Sequence, residues 1–216
     1  MANNILSTDL EIRYFCFSLQ NKTSRYANRS FQTESKYQHD TDSIQMLFNL
    51  ALCMKKLGLK PVIGANPRIL ILGSLPGDES IRRQEYYGNP RNMFWDVMSG
   101  ILGEKAPVRY SEKVEYLKRY GIALWDVLHA AERKGSLDAN IRNEEFNDIE
   151  QLISDNPSIK VVVTNGGKAE KSFRKYLRHN PSVAGKKICH CASTSPMSIC
   201  AGWNLGRLID QWSNIL

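Results

Sequence analysis

Asn92 carries the neutral amide most tightly placed ahead of an apolar helical pattern, in the run Asn89-Pro90-Arg91-Asn92-Met93-Phe94-Trp95. Two uses suit it. Its oxygen can accept a backbone N–H as a helix cap. Alternatively, the amide can orient a water in a reaction whose substrate bond largely breaks before attack, where no strong base is needed. Fifteen residues before Asn92, Ile69-Leu70-Ile71-Leu72 empties into Gly73-Ser74-Leu75-Pro76-Gly77-Asp78. Glycines there let backbone N–H groups approach a ligand, and proline stiffens the turn; a plain strand-to-loop turn uses the same residues. The run has neither the Gly-Lys-Ser/Thr of a phosphate loop nor a dinucleotide fingerprint, which argues against ATP and NAD.

A second chemically suggestive loop is Ser193-Thr194-Ser195-Pro196-Met197-Ser198. Its hydroxyls suit hydrogen bonds to phosphates, and Met197 suits an apolar wedge between bases; the bland alternative is a Ser/Pro loop with an incidental methionine. The four histidines, His39, His129, His179 and His190, lie near no nucleophile turn, so no Ser–His–Asp triad is expected. Cys189-His190-Cys191 with Cys200 resembles a metal clip only superficially. Cys189 and Cys191 fall at period two in an apparent strand and are expected on one face as small buried hydrophobes. With Cys16 and Cys53 the cysteines number five, without a disulfide-scaffold spacing, as in a reducing cytosolic compartment.

These loops need elements to position them. Apolar runs at 68–73, 121–127, 159–165 and 187–193 read as short strands buried on both faces. Helical patterns fall between them at 93–103, 111–119, 144–154 and 167–179, with a last one at 203–215. Gly166-Gly167 marks a tight strand-to-helix turn. This alternation predicts a three-layer α/β/α sandwich around a small parallel sheet of about four strands. The strand C-termini would then share one edge, where open α/β sheets bind ligands. Upstream, 21–42 is polar and without period, a mobile or loosely packed leader. A helical pattern from about Asp42 closes on Lys55-Lys56 and stops at Gly58. The expected organisation is an extension over 1–60 and a main domain over 61–216.

Lys plus Arg outnumber Asp plus Glu by 29 to 22, a net +7, with a pI near 9.2. The surplus is compatible with a polyanionic partner. Residues 1–20 mix Asp9, Glu11 and Arg13 among apolar residues, unlike a secretory signal. No apolar run approaches the roughly 18 residues of a membrane span, so no membrane partner is expected.

Taken together and in order, the loops resemble the uracil-DNA glycosylase superfamily. Gly73-Ser74-Leu75-Pro76-Gly77 is similar to the first motif, which reads Gly-Ile-Asn-Pro-Gly in the mismatch-specific branch. Asn89 to Trp95 resembles the Asn-Pro-x-Asn-x-Phe-Trp segment that follows, and Ser193 to Ser198 stands where the classical uracil enzymes carry His-Pro-Ser-Pro-Leu-Ser. The resemblance runs from about Asn66 to Leu216, leaving the first 60 or so residues outside. Leu75 replaces the catalytic asparagine of the mismatch branch, and Ser193 replaces the catalytic histidine of the classical one. What remains, including Leu124-Trp125-Asp126-Val127, looks like the deoxyinosine (hypoxanthine) branch, in which the catalytic asparagine maps to Asn92.

The resemblance implies a monofunctional DNA glycosylase that flips hypoxanthine out of duplex DNA and hydrolyses its N-glycosidic bond, leaving an abasic site. Asn92 would position water against C1′. The first loop (Gly73, Ser74, Leu75, Pro76, Gly77), together with Trp125-Asp126 or Asn165, would stabilise the departing base. Tyr87, or Phe94 if it faces the site, would stack on the purine. Ser193, Thr194, Ser195, Pro196, Met197 and Ser198 would meet the DNA. No metal, cofactor or covalent lysine is implied. The partner would be duplex DNA carrying deaminated bases, bound by a monomer in the cytoplasm, nucleoid-associated in a prokaryote. Competing readings are a uracil or mismatch-thymine glycosylase, a catalytically silent nucleic-acid-binding protein and an unrelated small-molecule α/β enzyme.

Overall fold

The computed structural model describes residues 55–216. Expectations for the polar leader, most of the helix from Asp42, and Cys16 and Cys53 lie outside these residues. The order is β1 (Lys55–Leu57), β2 (Ile69–Gly73), α1 (Asp78–Arg83), α2 (Phe94–Leu102), α3 (Tyr110–Arg119), β3 (Ile122–Asp126), β4 (Leu128–Glu132) and β5 (Arg142–Phe146). Then come α4 (Ile149–Asp155), β6 (Val161–Asn165), α5 (Gly167–Leu177), β7 (Lys187–Cys191), α6 (Met197–Cys200) and α7 (Leu205–Trp212).

The central sheet is four-stranded and wholly parallel, ordered β3-β2-β6-β7. Its strands are the four apolar runs of the sequence. Successive side chains of β2 alternate between layers, as strand pleating requires. Ile69 and Ile71 join a core with Phe94, Val97, Met98, Leu117 and Trp212, so α2, α3 and α7 cover that face. Leu70 and Leu72 join Leu152, Ile153, Phe173 and Tyr176, so α4 and α5 cover the other. The three-layer α/β/α arrangement is therefore present. Cys189 and Cys191 both pack into the first core, on one face of β7 as their spacing predicts.

A second sheet departs from expectation. β1, β4 and β5 form a three-stranded antiparallel sheet. Lys55-Lys56, read as a helix end, instead lies in β1, opposite Glu132 and Ala131. Residues 142–146, read as the start of a helix over 144–154, form β5; that helix begins only at Ile149, where the Asp148 carboxylate accepts the Gln151 N–H at 3.0 Å. These strands are short and β5 is mostly polar, so no apolar period marks them. The run at 121–127 also divides: β3 ends at Asp126, and after Val127 the chain enters β4 in the other sheet. Among the described residues, no helix is long and apolar enough to cross a membrane.

Candidate active site

The ends of β2, β3, β6 and β7 meet at one edge in a cleft of about 990 Å³. Gly73 and Asp126 are paired residues at the C-terminal ends of β2 and β3. Asn165 and Cys191 occupy the same positions on β6 and β7. At Gly166, φ is +95° and a Cβ would come within 2.8 Å of the Ser193 side chain, so glycine is required where α5 starts beside the fourth loop.

The first loop is held by its carbonyls. Those of Gly73 and Ser74 accept from the Val127 and Leu128 N–H groups at 2.8 and 3.1 Å. Those of Leu75 and Pro76 accept from the guanidinium of Arg133, the Leu75 contact at 3.2 Å, and Arg133 Nε reaches the Gly135 carbonyl at 2.9 Å. Because a trans peptide sets N–H opposite C=O, the amides of Ser74, Leu75 and Gly77 point away from these partners. Arg133 is 1% exposed although charged. Its five donors in a planar fork suit several carbonyls at once. Ser74 Oγ donates to Asp138 Oδ1 at 2.9 Å, and Ser136 Oγ accepts from the Asp78 N–H at 3.0 Å. The segment after β4 thus braces the first loop, and nothing in its sequence marked it. Leu75 itself is buried in the apolar core on the α4–α5 side.

Asn92 stands at the cleft, half-buried just before α2. Its Oδ1 accepts the Phe94 N–H at 3.0 Å, its own N–H donates to the Asn89 carbonyl at 2.9 Å, and the next N–H, of Met93, donates to the Thr194 carbonyl at 2.9 Å. The cap-like bond therefore exists, and it also fixes the amide's orientation. A carbonyl-type oxygen has two lone pairs, so Oδ1 can accept a second proton while Nδ2 remains a donor.

Five of the expected contact residues are placed or engaged otherwise. Phe94 is fully buried beneath Tyr87, their rings stacked at 3.7 Å and 15°, so Tyr87 and not Phe94 lines the cleft. Trp125 leaves the strand on the opposite face from Asp126 and donates from Nε1 to the Leu59 carbonyl at 3.2 Å, away from the cleft. Asn165 lies at the cleft, but both its N–H groups are committed, to Tyr87 Oη at 3.1 Å and Thr194 Oγ1 at 3.0 Å. Its Oδ1 takes the Thr194 N–H at 3.0 Å. It therefore ties two loops together and has no donor left for a base. In the fourth loop Thr194 and Ser198 are buried, Ser198 Oγ donating to the Ser195 carbonyl at 2.6 Å. Ser193, Ser195, Pro196 and the exposed Met197 are left at the surface of that loop. α7 secures it: Gln211 accepts the Ala192 N–H at 2.7 Å, and buried Trp212 donates to the Ala192 carbonyl at 3.1 Å.

Burial raises several titratable groups at this edge, Tyr86, Tyr87 and Asp138 among them, and two others bear on its chemistry. Burial pushes the Cys191 thiol up to about 12, so it stays protonated and is no nucleophile. Burial likewise pushes Asp126 up to about 7; the Tyr86 hydroxyl beside it opposes the shift, Asp138 adds to it and Arg133 counters it. A Cβ at Gly73 would collide with Asp126 Oδ1. Gly73→Ala is therefore expected to cost about 1–3 kcal/mol of stability through overpacking, read as a lower urea midpoint; an unchanged midpoint would mean the carboxyl gives way freely.

One parallel-sheet edge thus brings together a carbonyl-clamped Gly-Pro turn, a buried aspartate and an oriented asparagine. The sequence model of the uracil DNA glycosylase superfamily matches residues 61–210, and the chain belongs to this superfamily. Two curated relatives, each named hypoxanthine DNA glycosylase, are similar over 117 residues, or 54% of this chain and 74% of theirs. The one from Methanosarcina barkeri is 48% identical and the one from Methanosarcina acetivorans 46%. The fold also matches the solution NMR structure of a Methanosarcina acetivorans protein provisionally described as a uracil DNA glycosylase. Its TM-score is 0.64 at 37% identity, over 75% of this chain and 96% of that one.

Proposed function

We propose that the protein is a monofunctional DNA-repair glycosylase that flips hypoxanthine out of duplex DNA and hydrolyses its N-glycosidic bond, leaving an abasic site. The observation that carries this reading is Asn92, oriented at the cleft by its own backbone while Leu75 fills the core. The two relatives named for hypoxanthine support the substrate. Asn92 holds a water against C1′ as the sugar acquires oxocarbenium character. Because the bond to the base is largely broken by then, the water needs orientation more than deprotonation.

Tyr87, backed by Phe94, offers the stacking surface for the extruded purine, at about 1–3 kcal/mol per stacked base. The first loop's outward amides receive charge developing on the base, as pre-oriented backbone donors do. Ser193 and Ser195 meet phosphates, and Met197 enters the gap left in the stack. The glycosylase domain covers 61–216 and acts as a monomer on duplex DNA containing deaminated bases, in the cytoplasm and, in a prokaryote, at the nucleoid.

The test uses duplexes carrying one inosine, one uracil or one G·T mismatch, with alkaline strand cleavage after incubation. Excision at inosine is expected, with duplex affinity falling linearly in log salt at a slope of about −0.9 per phosphate contacted. Excision at uracil alone, or duplex binding without excision, would overturn the assignment.

A further inference from the structure

Asp126 is the buried ionisable group at the cleft with no structural task of its own. It is 4% exposed, ends β3 beside Gly73 and lines the cleft. Its Oδ2 is buried and has no hydrogen-bond partner. Buried carboxylates ordinarily sit in ion pairs or accept several N–H bonds. The groups around Asp126 supply neither. Tyr86 and Tyr87 face it from the segment before α2 and Tyr110 from the start of α3, while Arg133 and Asp138 act from the segment after β4. The Tyr86 hydroxyl donates to the Leu59 carbonyl at 3.3 Å, and the Arg133 fork is spent on carbonyls. The Tyr86 hydroxyl and Arg133 offset a negative charge on Asp126 only in part, and burial outweighs them; with Oδ2 unpartnered, a neutral carboxylic acid fits this pocket and has a proton to give.

Resting on the glycosylase reading above, we infer that Asp126 works as a protonated carboxylic acid, the general acid that donates its proton to the departing purine. The C1′–N9 bond breaks with its electron pair going to the base. The Asp126 proton moves to a ring nitrogen, so that neutral hypoxanthine leaves. Water adds its oxygen to C1′ and releases one proton, which matches the one needed to restore the carboxyl from solvent. An ionised Asp126 would oppose the step, because two like charges in a buried site repel strongly. A purine can use this help because its ring nitrogens N3 and N7 can accept the proton, whereas uracil offers only carbonyl oxygens.

The acid is present below the raised pKa of about 7 and lost above it. Single-turnover excision of inosine by the full chain should therefore fall about tenfold per pH unit above that point. Asp126→Asn cannot titrate; it should be slower by about 10²–10⁴-fold at pH 6 and lack the descending limb. In wild-type protein, carbon-detected NMR of the Asp126 carboxyl should place its titration under the same limb, which keeps the test valid if the variant folds poorly. A pH-independent wild-type rate, a limb that survives in Asp126→Asn, or a carboxyl titrating near the ordinary value of about 3.9 would overturn the general acid while leaving the glycosylase standing. Absence of inosine excision at every pH would overturn the proposed function, and this inference with it.

Discussion

Asn92→Ala should lower single-turnover excision of inosine by about 10²–10⁴-fold, the range for losing one positioned catalytic group, while duplex affinity stays within a few-fold of wild type. The two readouts separate because affinity for duplex DNA comes mainly from phosphate contacts, whereas the role proposed for the amide is at C1′. The structure supplies the control for folding. Asn92 Oδ1 accepts the Phe94 N–H, so the variant also loses a helix-start hydrogen bond, worth about 0.5–2 kcal/mol. That loss will not unfold the domain, since Phe94, Val97 and Met98 anchor α2 with no exposed surface. Asn92→Asp keeps the acceptor and should recover most of the stability. If Asn92→Ala loses stability but excises at the wild-type rate, Asn92 is a cap and the catalytic assignment falls.

Arg133→Ala is expected to destabilise the protein by about 3–5 kcal/mol, read in urea denaturation. The side chain has no exposed surface, and its removal leaves the carbonyls of Leu75, Pro76 and Gly135 without their donor. Each stranded buried acceptor costs about 1–3 kcal/mol, and the vacated volume adds a cavity penalty. Asp78, within 3.6 Å of the guanidinium, also loses that partner. Arg133→Lys should recover only part of the loss, since a single ammonium on a flexible stem cannot span carbonyls that a planar fork reaches together. A cost below about 1 kcal/mol for Arg133→Ala would mean that water replaces the clamp and that the first loop holds its own shape.

The parallel sheet was legible in the sequence because its strands are buried on both faces, which forces continuous apolar runs. The placement of Gly73, Asp126 and Asn165 at one edge followed from that alone, since strand ends in such a sheet share an edge. The antiparallel sheet left no comparable trace. β5 reads Arg-Asn-Glu-Glu-Phe and buries little, so its pairing is set by backbone contact with β4 and not by side-chain pattern. Arg133 was invisible for another reason: a basic residue in a polar segment reads as solvated surface, and only the folded turn supplies carbonyls to bury it against. The loop hydroxyls were misjudged by chemistry as much as by position. Thr194 and Ser198 are as hydrophilic as Ser193 and Ser195 in isolation, yet the fold spends them internally. The order of Tyr87 and Phe94 turns on which ring lies beneath the other, and Tyr87 takes its place with φ of +54°. A non-glycine residue in that region carries a backbone cost, so stacking on Phe94 and the Asn165 bond hold the tyrosine where its own preference would not.

Leu75 decides where along this edge an amide can stand. Its side chain belongs to the same buried cluster as Leu72, Val127 and Leu128, while Arg133 grips its carbonyl. An asparagine substituted there would enter apolar packing with an amide to satisfy, at about 1–3 kcal/mol, before it could assist any reaction. The packing of the first loop in this chain thus disfavours an amide at position 75. The amide at position 92 bears no such cost, because it stands half-buried at the cleft.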